Sequence, residues 1–205
     1  LCRILEQQRS ARLLLEPCDD NPFLASFYAD ADRYAFPAQM FYLANRFGQQ
    51  QAINQLDLFH DFVVADYLFE KDRLFAEQTL KGHEMALYDR FSQLLQGGIS
   101  APEFVIFLDS PTDVVISRIQ NRAIDAEQVI QAEYLDQLRE RYYGLWNRYT
   151  QAPVYVVDTS RLHYVNSMED QDTMLALIDG WLCNDPVPWA PAPYAPRDPA
   201  QMTMF

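Results

Sequence analysis

The sequence predicts an α/β fold with a parallel sheet, and three features of the 205-residue chain indicate it. Four short segments are continuously apolar, as expected of strands in a parallel sheet that is covered on both faces. Longer segments with helical periodicity separate them, and this alternation is typical of α/β folds. Each apolar segment ends on an acidic residue, and open parallel sheets bind ligands beyond the carboxyl ends of their strands.

The order of the elements follows from these patterns. We expect strands at 12–17, 61–66, 104–109 and 153–158. The spacing of apolar residues predicts helices at 22–30, 33–58, 69–77, 83–97, 111–122, 127–150 and 168–182. Residues 1–5 have the pattern of the end of a short amphipathic helix. These elements indicate one domain over residues 1–183, followed by a proline-rich tail at 184–205 that is expected to be extended or disordered.

Composition excludes several classes of protein. The chain has 16 basic and 29 acidic residues and a net charge of −13, which argues against nucleic-acid binding. No apolar run approaches the roughly 18 residues that a membrane span needs. The 3 cysteines and 3 histidines are scattered without metal-ligand spacing. Reduced thiols and a cytoplasmic location are therefore expected.

The acids at the strand ends are the first candidates for a reaction site. Glu16 and Asp66 end the first two predicted strands, where a carboxylate can accept a proton or hold magnesium. The alternative for Glu16 is a surface acid before a turn. Asp109 and Asp158 end the other two strands, and their alternative is local capping of the following segment.

Two polar residues on the long predicted helix suggest recognition of a nucleobase. Gln39 and Arg46 are two helical turns apart and share one face. A glutamine amide offers a donor beside an acceptor, which suits the hydrogen-bonding edge of a base. The alternative is an exposed polar stripe. Tyr28, upstream, is either a hydroxyl donor or a core aromatic residue.

Arg118 and Arg122 are one helical turn apart near the end of the helix predicted at 111–122. Two guanidinium groups on one face suit a phosphate placed between them. Glu127 follows closely, so the alternative is a solvated helix end with a local ion pair.

Three segments in order resemble the deoxyribonucleoside kinase family, over about Leu1 to Val165. They are LLLEPCDDNPFLASFYADADRYAFPAQMFYLANRF, VVADYLFEKDRLFA and RIQNRAIDAEQVIQAEYLDQLRERY. The second segment, with Asp-Tyr-Leu-Phe, is most similar to the bacterial deoxyadenosine/deoxyguanosine kinase-like branch. The resemblance implies a P-loop kinase-like, three-layer fold with a parallel sheet between helices.

The resemblance implies catalytic roles for four residues. Glu16 matches the general base that accepts the proton of the sugar 5′-hydroxyl. Asp66 matches the strand-end acid near the metal and phosphates, so Glu16 and Asp66 are candidate Mg²⁺ ligands. Arg118 and Arg122 match arginines of a lid that steadies the transferred phosphoryl group.

Five further residues match substrate-binding positions of the family. Gln39 matches the amide that pairs with the base, and Arg46 and Asp72 match the pair that completes base recognition. Tyr28 and Glu127 match the groups that hold the 3′-hydroxyl.

The sequence also departs from the family pattern. Tyr67 and Ile124 stand where many relatives carry arginine, and no glycine-rich loop ending Gly-Lys-Ser/Thr is found. Either the sequence is an N-terminally truncated kinase without its first strand and phosphate loop, or it cannot hold ATP in the usual way. We expect truncation, with an active full-length enzyme and little activity in this chain alone.

The expected reaction is ATP-dependent phosphorylation of a deoxynucleoside 5′-hydroxyl with Mg²⁺, in nucleoside salvage. The bacterial branch implies a mild preference for purines, and the family implies a homodimer, with the helix at 33–58 as an interface. The alternative is a non-catalytic, nucleoside-kinase-like binding or scaffold protein. Another small-molecule kinase is less consistent with the combination of Gln39, Arg46 and Asp72.

Overall fold

The computed structural model describes residues 1–16, 21–53, 59–123 and 130–196. They belong to two compact units, Leu1–Ser100 and Ala101–Phe205. Strands pair in parallel within each unit and alternate with helices, which confirms the predicted α/β class. Within the described ranges, no helix combines the length and the hydrophobicity needed to cross a bilayer.

The first unit contains a two-stranded parallel sheet and five helices among its described residues. In chain order these are α1 (Cys2–Gln8), β1 (Ala11–Leu14), α2 (Leu24–Ala29), α3 (Ala31–Ile53), β2 (Phe62–Ala65), α4 (Lys71–Thr79) and α5 (Gly82–Gln96). Ala11 lies opposite Phe62, and Leu14 lies opposite Ala65. Because the strands are parallel and in this register, the residues that follow them emerge at the same end of the sheet.

The core of the first unit lies among α3, α4 and α5. One cluster of buried side chains there consists of Ala35, Leu43, Phe69, Ala76, Leu80 and Tyr88. Pro37 lies inside α3 rather than at its start, so the helix continues through a residue that lacks one backbone donor. Residues 54–58, which the sequence assigns to the same helix, lie outside the described residues.

The second unit is built on another parallel pair of strands. Among its described residues the elements are β3 (Val105–Asp109), α6 (Thr112–Arg122), α7 (Ala132–Trp146), β4 (Val154–Asp158) and α8 (Met168–Leu182). Asp109 and Asp158 are register partners at the ends of the two strands. Aromatic side chains fill much of its interior; Tyr155, for example, stacks on Trp181 with ring centroids 4.2 Å apart.

Residues 183–196, the described part of the chain after α8, have no regular secondary structure but contact the second unit. A Cβ atom on Gly180 would lie 3.0 Å from the Asp185 carbonyl oxygen, so a larger residue there would require the backbone after α8 to shift. The backbone N–H of Tyr194 donates to the carbonyl of Val154 at 2.7 Å. Residues 197–205 of the predicted tail lie outside the described residues.

The strands are less buried than their apolar sequences predict. Every side chain of β2 and of β3 is only half-buried. A two-stranded sheet leaves an edge on each strand, and side chains next to an edge keep partial access to solvent. Fully buried strand residues in the second unit are Val154 and Val157, both in β4.

Ala123 ends α6 with a φ of 53°, in the left-handed region that favours glycine. Ala123→Gly is therefore expected to stabilise the chain by about 0.5–1 kcal/mol, because relief of steric strain exceeds the added entropy of the unfolded chain. Denaturant unfolding measures the difference. Ala86→Gly, at an exposed interior position of α5, is the control and should destabilise by about 1 kcal/mol. Equal destabilisation by both substitutions would contradict the assignment of strain to Ala123.

Candidate functional site

The two acids that follow β1 and β2 are neighbours in the first unit. The backbone N–H of Glu16 donates to Asp66 Oδ1 at 2.8 Å. This contact follows from the parallel register of β1 and β2, which brings both strand ends to one edge. The structure therefore brings Glu16 and Asp66 together, while their predicted catalytic roles stay predictions.

Arg46, on α3, is buried and bridges two carboxylates. One terminal nitrogen of its guanidinium donates to Asp72 Oδ1, and the other donates to Glu16 Oε1. Arg46 is 4% exposed and Asp72 is 1% exposed, which excludes the alternative of an exposed polar stripe. The Tyr88 hydroxyl donates to the second Asp72 oxygen at 2.6 Å.

Helices α3 and α4 face each other through two polar contacts. Gln39 Nε2 donates to Thr79 Oγ1 at 3.2 Å, and Arg46, seven residues after Gln39, contacts Asp72, seven residues before Thr79. Because residue numbers rise along α3 as they fall along α4, the two helices are antiparallel. At 1.5 Å per residue the contacts are about 10 Å apart along the helix axis. Gln39, Arg46 and Asp72 thus lie along one buried polar seam.

Aromatic rings surround the Arg46 guanidinium. Its central carbon lies 5.5 Å from the ring centre of Tyr42 and 6.0 Å from that of Tyr67. Burial raises the pKa of Tyr67 to about 12, so its hydroxyl is neutral at physiological pH. The residue that follows the strand-end acid Asp66 therefore adds no charge to the site.

Lys71 is a site residue that the sequence did not reveal. It is the first residue of α4, and its ammonium nitrogen lies 3.2 Å from Glu16 Oε2. Burial alone would raise the pKa of Glu16, but the charges of Lys71 and Arg46 outweigh burial and hold that pKa below its ordinary value. Glu16 is consequently an ionised carboxylate at neutral pH.

In the second unit, Arg118 joins α6 to the ends of both strands. Its guanidinium donates to the Ser110 hydroxyl at 3.0 Å, to the Thr159 hydroxyl at 3.0 Å and to the Thr159 carbonyl at 2.5 Å. Ser110 follows β3 and Thr159 follows β4, and both are buried. Arg118 thus has a structural role at these strand ends, and its predicted role toward a phosphoryl group is not tested by these contacts.

Three other predicted site residues make no contact with the cluster around Arg46 that the structure describes, and two of them lie wholly or partly outside the described residues. Arg122 is the last residue of α6 and is exposed. Glu127 lies outside the described residues. Tyr28 lies in α2, but its side chain is outside the described part of the chain.

The acids at the ends of β3 and β4 make local contacts. Asp109 accepts two hydrogen bonds from Arg139, at 2.7 and 2.6 Å, and one from the Tyr143 hydroxyl at 2.7 Å. Burial alone would raise the pKa of Asp109, but these hydrogen bonds hold it below its ordinary value. Asp158 accepts from the backbone N–H of Ser160 at 2.8 Å. Both acids thus stabilise the second unit locally.

The described residues contain no group of three or more His, Cys, Asp or Glu side chains placed to hold a metal ion. Magnesium that binds together with substrate phosphates requires only one or two protein carboxylates. The carboxylates of Glu16 and Asp66, whose residues are linked through the backbone N–H of Glu16, fit this smaller requirement in number and in ligand chemistry.

Comparison with known proteins gives a consistent result. The family profile described as deoxynucleoside kinase matches residues 1–183. The deoxyguanosine kinase of Bacillus subtilis is 31% identical over 143 residues, which are 69% of this chain and 69% of that protein. The deoxyadenosine/deoxycytidine kinase of the same organism is 26% identical over 186 residues, 87% of this chain and 83% of that protein.

Solved structures show the same fold. Deoxyadenosine kinase from M. mycoides with bound dATP has a TM-score of 0.69 at 21% identity, over 86% of this chain and 90% of that one. The same enzyme with its products dCMP and dCDP has a TM-score of 0.68 at 22% identity, over 87% of this chain and 90% of that one.

Proposed function

Because the chain belongs to the deoxynucleoside kinase family, we propose that it transfers the γ-phosphoryl group of ATP to the 5′-hydroxyl of a purine deoxynucleoside. The observation that carries the proposal is the buried Arg46, which is held between Glu16 and Asp72 and lies two helical turns from the buried Gln39 on the same face of α3. Burying three charged side chains is costly, and hydrophobic residues of similar volume would often be as stable. Such a cluster is therefore better explained by recognition of a ligand than by stability.

Glu16 acts as the general base. Its carboxylate is ionised, as removal of a proton from the 5′-hydroxyl requires. The 5′-oxygen then forms a bond to the γ-phosphorus of ATP, the bond from that phosphorus to the bridging oxygen breaks, and ADP leaves. Asp66 fixes the position of Glu16 by accepting its backbone N–H.

Glu16 and Asp66 would hold Mg²⁺. The ion supplies charge neutralisation for the phosphate oxygens when it is bound. Arg118 and Arg122 are proposed to steady the transferred phosphoryl group, and Tyr28 and Glu127 to hold the 3′-hydroxyl. Support for these four roles comes from the matching sequence motifs.

Gln39 and the Arg46–Asp72 pair recognise the base. The Gln39 amide can donate and accept side by side, and the guanidinium of Arg46 is kept rigid by its two carboxylate partners. The relatives support a purine, since one is a deoxyguanosine kinase and another a deoxyadenosine/deoxycytidine kinase. A homodimer and a cytoplasmic location stay predictions.

Gln39→Ala tests base recognition. We expect it to weaken deoxynucleoside binding by about 1–3 kcal/mol, because polar groups of the base lose their partner. Isothermal titration calorimetry with deoxyguanosine, deoxyadenosine, deoxycytidine and thymidine measures the change. Gln93→Ala, at an exposed position of α5, is the control and should leave affinity unchanged. Equal affinities of wild type and Gln39→Ala for every base would contradict the assignment.

Binding without turnover is the second candidate function. Tyr67 and Ile124 replace family arginines, and loss of arginines lowers the charge available to stabilise phosphoryl transfer. An ATP-dependent phosphorylation assay, run beside the calorimetry on the longest natural open reading frame that contains this sequence, separates the two candidates. Binding of a deoxynucleoside with no phosphorylated product would favour the second.

A further inference from the structure

The two cations that contact Glu16 are held very differently. Arg46 has a side chain that is 5% exposed, and it is fixed by two carboxylates. Lys71 has a side chain that is 22% exposed and contacts one of the Glu16 oxygens at 3.2 Å. Its ammonium group also lies 5.6 Å from the ring centre of Phe75, one helical turn along α4. Lys71 can therefore leave Glu16 at much lower cost than Arg46 can.

The charges of this cluster create a need for a mobile cation. Three carboxylates, those of Glu16, Asp66 and Asp72, are grouped around the two cations Arg46 and Lys71. The cluster is thus net negative before any phosphate arrives, and Tyr67 adds no positive charge. When no metal ion is bound, this cluster would repel a phosphate on the sugar 5′-oxygen, next to Glu16, unless one of its own cations turned toward the phosphate.

Arg46 cannot meet this need without giving up the ion pair that neutralises Asp72, a carboxylate that is 1% exposed. Such an uncompensated buried charge is strongly unfavourable. When Lys71 moves, by contrast, Glu16 stays paired with Arg46. The four-carbon side chain of Lys71 carries a compact charge on a flexible stem, which suits a group that changes partner as the phosphate forms.

We propose that Lys71 is the phosphate-positioning residue of the deoxynucleoside site. It pairs with Glu16 while the site holds no phosphate, and it turns to the 5′-phosphate of the nucleotide once that group is present. The inference rests on the proposed function, because it requires the 5′-oxygen to lie beside Glu16. Lys71 would therefore make the site bind the nucleoside monophosphate more tightly than the nucleoside.

The test compares the affinity of the full chain for deoxyguanosine and for deoxyguanosine 5′-monophosphate, with the deoxyadenosine pair in parallel. Calorimetry in metal-free buffer keeps magnesium from bridging the phosphate to Glu16 or Asp66. Lys71→Gln should weaken monophosphate binding about 10- to 100-fold, the usual loss for a charge-assisted hydrogen bond. It should change deoxynucleoside binding by less than about 3-fold, because Arg46 still neutralises Glu16.

The chain provides a matched control, since its only other lysine is Lys81. Lys81→Gln, just before α5, should leave both affinities unchanged, and Lys71→Arg should keep most of the monophosphate affinity. If Lys71→Gln retains wild-type affinity for the monophosphate, or loses both ligands equally, the inference is wrong and Lys71 is structural. If the wild type binds none of the four ligands, the proposed function itself fails.

Discussion

Arg46→Met is expected to destabilise the chain by about 3–5 kcal/mol, the range for removing one partner of a buried ion pair. Methionine preserves much of the volume of the side chain, so the loss is electrostatic. Asp72 would keep the Tyr88 hydroxyl, and Glu16 would keep Lys71, but the guanidinium that joins them would be missing. Deoxynucleoside binding should be lost as well, since Arg46 forms part of the proposed base site.

The pH dependence of this variant identifies the cause. The pKa of Glu16 is lowered in the folded wild type, so its stabilising contribution is present above its unfolded value and is lost as pH falls through the folded value. Without Arg46 that lowering is smaller. The stability difference between wild type and Arg46→Met should therefore be largest at neutral pH and decrease in acid, as measured by denaturant unfolding over a pH series.

Arg33→Met is the matched control, because Arg33 is exposed on the same helix. It should change stability by less than about 0.5 kcal/mol, as is usual for surface substitutions. Similar losses in both variants, or a loss in Arg46→Met that does not depend on pH, would show that the buried ion cluster is not the source of the effect.

Glu16→Gln is expected to lower turnover about 10²- to 10⁴-fold, the usual range for loss of a general base. The amide keeps the size of the carboxylate but cannot accept the proton of the 5′-hydroxyl. Deoxynucleoside affinity should change modestly, because Gln39, Arg46 and Asp72 remain. The assay is ATP-dependent phosphorylation by the longest natural open reading frame that contains this sequence, with calorimetry for affinity.

Glu6→Gln is the control for this substitution, since Glu6 is an exposed acid on α1. Its turnover should equal that of the wild type. Wild-type turnover in Glu16→Gln would remove Glu16 from the mechanism. A loss of deoxynucleoside affinity as large as the loss of turnover would instead make Glu16 a binding residue.

The sequence predicts features that depend on local pattern. The apolar segments that end on acids correspond to the four strands found among the described residues, and the parallel pairing of two of them places Glu16 beside Asp66. Helical spacing put Gln39 and Arg46 on one face of α3. Burial of that face could not be deduced from spacing alone, because an exposed polar stripe has the same periodicity as a buried one.

The parts that the sequence did not reveal depend on contacts between distant segments. Lys71 resembles an ordinary solvated charge at a helix start, and only the packing of α4 beside the end of β1 brings it to Glu16. From the sequence Tyr88 is expected to be a core aromatic residue, and only the packing of α5 beside α4 brings its hydroxyl to Asp72. The contacts of Arg118 exist because β3 and β4 pair and bring Ser110 next to Thr159.

A crystal structure of the chain with a bound deoxynucleoside tests the central claim most directly. We expect the base to contact Gln39 and the Arg46–Asp72 pair, with the 5′-oxygen within hydrogen-bonding distance of Glu16, about 2.6–3.2 Å. A deoxynucleoside bound elsewhere on the chain, or bound with its 5′-oxygen directed away from Glu16, would contradict the account.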